Sequence, residues 1–150
     1  MSTISRTTEF TIGQPVNRLF PLFSPEGETL WVPGWTYQNV MGRTDLREDD
    51  VFLTRAHDHA GGESIWIVKN FDPARHRVQY YRVEPGVKVG LVTVHCEPAG
   101  ASSTRVRVTY TYTGLSEEGN RFVQNFSEAD YERYIQEWRT LLNVYFERTQ

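Results

Sequence analysis

Along the first dozen residues, Ile4, Arg6, Thr8, Phe10 and Ile12 alternate with Thr3, Ser5, Thr7, Glu9 and Thr11, a β-branched run with one partly apolar face that predicts a strand. Gly13 ends it. Pro15 suits the first position of a helix whose apolar residues Val16, Leu19, Phe20 and Phe23 recur at helical spacing, although Pro21 must kink or stop it. Ser24 and Pro25, with Glu26 and Glu28 in the first turn, repeat the start signal, so a second short helix is expected as far as about Trp31. Val32-Pro33-Gly34 breaks it.

From Trp35 to Leu115 the period changes to that of strands. Six are expected, over about 35–42, 50–57, 63–71, 76–83, 87–97 and 103–114, separated by turn chemistry such as Gly61-Gly62, Asp72-Pro73, Glu84-Pro85-Gly86 and Pro98-Ala99-Gly100. The gaps are hairpin-sized, so consecutive strands should pair antiparallel as a meander. The last strand is clearest: Val106, Val108, Tyr110 and Tyr112 share one face, against Arg105, Arg107, Thr109, Thr111 and Thr113. A short helical stretch opens at Ser116-Glu117-Glu118. Ser127 and Asp130 then form a capping-box-like start, and Tyr131, Tyr134, Ile135, Trp138, Leu141, Leu142 and Tyr145 recur at steps of three and four. That predicts a helix of about 21 residues, or about 31 Å at 1.5 Å per residue.

These elements make an α+β domain spanning 1–150: seven antiparallel strands, two short helices after the first, and one long amphipathic C-terminal helix. A twisted sheet of that size curls, and one helix is too slender to fill the gutter it makes. The space must be filled by large side chains or left as a cavity, and apolar cavities are the usual place for small molecules.

Composition adds rings. Four Trp, eight Tyr and eight Phe suit a cavity wall as well as a core. A net charge of -3 with mixed signs gives no footprint for nucleic acid or an anionic membrane. Cys96 is the only cysteine, so no internal disulfide can form. Met1–Thr8 lacks an apolar signal core and no stretch has the ~18 consecutive apolar residues of a membrane span. A cytoplasmic protein is expected.

The order of elements, the Pro-Glu-Gly-Glu-Thr-Leu-Trp-Val-Pro-Gly-Trp stretch of residues 25–35, Ile65-Trp66-Ile67-Val68 and Leu115-Ser116-Glu117-Glu118-Gly119-Asn120 resemble the START-like, or SRPBCC, superfamily. That superfamily groups lipid-transfer domains, plant allergens, polyketide cyclases and many bacterial proteins without assigned activity. The resemblance covers essentially the whole chain and implies a helix-grip fold with a hydrophobic cavity. It implies no universal catalytic residue, so function must be argued from the site.

Candidates for lining that cavity are Trp35, Tyr37, Trp66, Tyr80, Tyr110 and Tyr112 on the strands and Tyr134, Trp138 and Leu141 on the helix stripe. The ordinary alternative for each is core packing. An inward tyrosine hydroxyl either bonds to the protein or orients a ligand. His95 would be an acid, base or polar anchor if its face were inner, but the alternating Val92, Val94 and Cys96 argue that it points out. Arg82 shares parity with Tyr80 and, if inward, would clamp a carboxylate. His57, His59 and Glu63 match part of a cupin-like metal set, but Val51 and Asn70 stand where that motif has glycines, so a solvated hairpin tip is the reading preferred. No nucleophile elbow, phosphate loop or dinucleotide motif is present, and no cofactor or metal is implied. The expected function is therefore binding of a hydrophobic or aromatic small molecule, with a cyclase-like enzyme using the same pocket as the alternative. Ile65 and Ile67, opposite Trp66 and Val68, leave apolar groups on both faces of one strand, which makes a homodimer an open expectation.

Overall fold

The computed structural model describes residues 2–55 and 62–149. Strands β1 (Thr3–Ile12), β2 (Val51–Arg55), β3 (Glu63–Asp72), β4 (Arg77–Glu84), β5 (Lys88–Gly100) and β6 (Ser103–Gly114) form one antiparallel sheet in the order β1-β6-β5-β4-β3-β2. Helices α1 (Val16–Leu19) and α2 (Pro25–Glu28) follow β1, joined by a 3-10 turn over Phe20–Phe23. After β6 come α3 (Glu117–Asn125) and α4 (Glu128–Arg148).

Strand parity fixes the two faces. Phe10, Phe52, Trp66, Val68, Val78, Tyr80, Val92, Val94, Cys96, Val106, Val108, Tyr110 and Tyr112 point inward and are buried. Outside, Thr3, Ser5 and Thr7 pair their hydroxyls with Thr113, Thr111 and Thr109 at 3.3, 3.0 and 2.9 Å across β1 and β6, as expected of a solvated face. The outer face of the other edge is less polar: in the register, Ile65 lies beside Leu53 and Val83, and Ile67 beside Val51 and Tyr81. Bulges between Val68 and Asn70 and between Pro98 and Gly100 add curvature.

The Ser127 hydroxyl caps α4 by accepting from the Asp130 amide at 3.1 Å. The helix buries Tyr131, Ile135, Leu142 and Phe146, and the Tyr131 hydroxyl donates to the Val108 carbonyl of β6 at 2.5 Å, tying helix to sheet. Residues 35–42 do not form the expected strand, so among the described residues the sheet has six strands and not seven. Only Gln38 bridges to Leu53, through N–H···O distances of 2.8 and 3.3 Å. The competing contacts lie in α2: the Trp35 indole donates to the Pro25 carbonyl at 2.9 Å and the Tyr37 hydroxyl to the Glu26 carboxylate at 2.6 Å. Gly34 and Gly42, at φ of 72° and 75°, bend the chain at either side. The segment is thus drawn towards α2 and helps α4 to close the gutter.

Candidate functional site

Two covers meet over the inner face, and aromatic rings fill the space between them. Trp138 of α4 lies 5.9 Å from Trp31, 6.1 Å from Phe23 and 6.2 Å from Tyr110, ring centre to ring centre. On the sheet, Phe52 stacks on Trp66 at 5.4 Å, and Tyr80 meets both edge-on at about 6 Å. The wall donors are already engaged: Trp66 to the Thr54 hydroxyl at 2.9 Å, Trp31 to the Leu22 carbonyl at 2.7 Å and Tyr80 to the Phe23 carbonyl at 2.6 Å. Each ring therefore has a fixed orientation.

What remains is a void of about 20 Å³, roughly the room one water needs. Of the two outcomes that a single slender helix leaves open, filling by large side chains prevails over a large cavity. The helix does not close the gutter alone, because Phe23, Trp31, Trp35 and Tyr37 reach in from the segment after β1.

Into this void projects a group that the sequence reading treated only as a first-turn helix acid. Glu28, the last residue of α2, lines the void together with Phe23, Phe52, Trp66, Tyr80, Val92, Val94, Tyr110 and Trp138. The residue is half-buried, and its side chain lines the void. Among the described residues it has no hydrogen-bond or ion-pair partner, and burial alone pushes it from 4.5 up to about 8. It therefore carries a proton at neutral pH. Tyr80 and Tyr110, the titratable groups that feel its charge, are held well above the usual phenol range, first by burial. A signal did exist in the sequence: Glu28 stands one helical turn before Trp31, on the same face as an aromatic residue.

Of the residues singled out from sequence, Trp66, Tyr80, Tyr110 and Trp138 come together around the void. Trp35 packs edge-on against Trp66 at 6.1 Å and borders a separate outer groove of about 190 Å³ that Trp66 and Arg82 also line. The Arg82 guanidinium sits 5.2 Å from the Trp66 ring centre and donates to the Ser64 hydroxyl at 3.1 Å, placing it at the mouth. Tyr37 packs on Phe52, and its hydroxyl is raised to about 12 by burial and the Glu26 carboxylate.

Tyr112 packs on Phe122 and Phe126 beyond the void, while Tyr134, which touches the Tyr110 and Trp138 rings, is 43% exposed. Leu141, one turn further along α4, lies apart from the void, in a surface groove with Leu30, Pro33 and Val144. His95 is on the outer face, 3.5 Å from the Glu97 carboxylate, and so cannot serve the void. Glu63 begins β3 and pairs with Arg55 at 3.7 Å. His57 and His59 lie outside the described residues. Among the described residues no cluster suits a metal ion, and no helix is long and apolar enough to cross a membrane.

No protein-family model matches the chain, and no curated protein does. Solved structures do. The Zhui aromatase/cyclase from Streptomyces sp. R1128 superposes with a TM-score of 0.69 at 16% identity, over 99% of this chain and 97% of that one. Norcoclaurine synthase from Thalictrum flavum, in complex with dopamine and hydroxybenzaldehyde, gives 0.68 at 12% identity, over 95% and 88%. The Mll3558 protein from Rhizobium loti gives 0.60 at 21%, over 95% and 96%. At such identities the likeness is one of fold, and it extends over both chains. With an antiparallel sheet gripping a long C-terminal helix, and two short helices after the first strand, this chain has the helix-grip fold of the START-like (SRPBCC) proteins.

Proposed function

We propose that the chain binds a small, largely aromatic molecule between the sheet and α4, with the Glu28 carboxyl as its polar contact. One observation carries the reading: an enclosed carboxyl without a hydrogen-bond partner among the described residues, in a wall made of rings and valines. Burying such a group costs on the order of 1 to 3 kcal/mol even when it is neutral, and a leucine or methionine there would stabilise the fold. Groups that break the rule of internal satisfaction cluster at sites.

The void itself admits about one water, so a ligand enters only as the rings part. Trp66 is the partition, because it lines both the void and the outer groove. The segment over that groove has little regular structure and gives way more easily than α4 does. The norcoclaurine synthase complex with dopamine and hydroxybenzaldehyde supports the idea that this fold takes small aromatic molecules.

An enzyme is the second reading, favoured by the same carboxyl: a group titrating at about 8 can give and take a proton near neutrality. In a cyclase-like reaction Glu28 would then be the acid or base, with Arg82 at the mouth to hold an anionic group. Native mass spectrometry of freshly purified protein tests the binding reading. A retained mass of a few hundred daltons, lost on denaturation, is expected. A bare chain whose tryptophan fluorescence also ignores a panel of small aromatic compounds overturns it. The same spectrum reads self-association through the apolar outer face around Ile65 and Ile67.

A further inference from the structure

We propose that the outer groove, between residues 32–36 and the β2–β4 edge of the sheet, is a separate binding site that takes the carboxylate of a small organic acid. The groove has about 190 Å³ against about 20 Å³ for the inner void, so a molecule enters it without displacing any ring. Glu28 does not line it, and the site stands whether or not the void opens. Its polar lining is made of donors. Arg82, Arg55, Thr54 and Thr36 border the groove, and among the described residues no acidic side chain does. The Thr54 hydroxyl accepts from the Trp66 indole at 2.9 Å, which leaves its own proton to give.

Arg82 is the group that asks for a partner. Trp66 lies between Phe52 and Arg82 in the sheet register, stacks on the first and carries the guanidinium of the second 5.2 Å from its ring centre. The Arg82 Nε also donates to the buried Ser64 hydroxyl at 3.1 Å. The half-buried side chain is thus held before any ligand arrives, while the two Nη atoms keep their donors. Among the described residues no carboxylate pairs with it, although Arg43, Arg75, Arg105 and Arg133 each have an acid within reach.

The charge balance selects the anion. Arg55 has an 84% exposed side chain and shares its charge with Glu63 at 3.7 Å, so it is both offset and screened by water. What the groove presents is close to one positive charge, on Arg82, and a singly charged anion matches it. A carboxylate is planar, and its two oxygens fit two parallel N–H groups of a guanidinium. Val32, Pro33 and Trp35 complete the wall, and their apolar surface suits a short hydrocarbon tail. A phosphate would bring further charge and no tail.

The test titrates hexanoate, hexanamide and inorganic phosphate into the full chain at about pH 7, where the carboxylic acid is ionised. Indole N–H signals in nitrogen-proton NMR spectra report the place of binding, because Trp35 lines the groove but not the void and Trp138 the void but not the groove. Hexanoate should shift the Trp35 signal, leave that of Trp138 in place, and bind at least about tenfold tighter than hexanamide or phosphate, as a charge-assisted pair requires. Arg82→Gln should bring hexanoate down to the level of hexanamide. Arg82→Lys, which keeps the charge and loses the fork, should weaken it about threefold or more, and Arg55→Gln by less than that. Should Arg82→Gln fail to fold, the preference of the native chain and the lysine variant still decide. Equal binding of hexanoate and hexanamide, a phosphate affinity that matches hexanoate, shifts centred on Trp138, or no saturable shift at roughly 10 mM each overturn the inference. Hexanoate binding that the Arg82 variants leave unchanged overturns it as well. The inner-void reading is judged separately, by the mass retained in the native spectrum.

Discussion

Replacing Glu28 by glutamine keeps the shape of the side chain and deletes its titration, so the comparison isolates the cost of an enclosed charge. The carboxyl titrates at about 8 when folded and near 4.5 when exposed. The folded state thus holds a proton that the unfolded chain has lost, and the sign follows. Stability is highest below about pH 4.5 as far as this group is concerned, falls as pH rises through the window, and levels off above about 8. Each unit of separation is worth about 1.4 kcal/mol. The loss is then about 3 kcal/mol at pH 7 and about 5 kcal/mol at the plateau, a large part of the roughly 5 to 15 kcal/mol that holds a domain together. Urea unfolding followed by tryptophan fluorescence at about pH 5, 6, 7 and 8 measures it. The native chain should lose about 1.4 kcal/mol per pH unit more than Glu28→Gln does between about pH 5 and 7.5. Parallel stability profiles for the two chains would refute the enclosed, unpartnered carboxyl.

Three further changes probe the frame around it. A Cβ on Gly27 would stand 2.3 Å from the Pro21 carbonyl oxygen and 2.7 Å from the Leu22 Cα, so Gly27→Ala must push α2 off the preceding turn. A loss of about 3 kcal/mol or more in urea unfolding is expected, and an unchanged midpoint would contradict the close packing. Tyr131→Phe removes the hydroxyl that ties α4 to β6 and should cost about 1 kcal/mol by the same assay. Burial pushes the Cys96 thiol up to about 12, so iodoacetamide at about pH 8 should leave the native chain unmodified by mass spectrometry and alkylate it in urea.

Hydrophobic periodicity carried most of the architecture. The alternation on β6 and the three-four spacing on α4 each describe a surface with one apolar side, and such a side has few ways to be buried. The strand expected at 35–42 shows where local pattern loses. Its alternation is real, but Trp35 and Tyr37 find better partners in α2, and hydrogen bonds across sequence gaps of about ten residues leave no mark in a two-residue period. The inward residues Trp66, Tyr80, Tyr110 and Trp138 were legible as candidates because their rings fall on apolar faces. His95 was readable as outward-facing for the same reason, its strand neighbours Val92, Val94 and Cys96 taking the interior.

The sequence by itself determined the antiparallel meander, the helix that grips it, the aromatic character of the interior and the side to which most strand residues point, since all of these follow from periodicity and turn chemistry within a few residues. Only the tertiary structure decided how full the gutter is and which polar group stands in it. Volume is a sum over side chains arriving from the 3-10 turn, α2, five strands and α4. The state of Glu28 depends on what those elements exclude, water and cations alike, and neither quantity is a property of any one segment of chain.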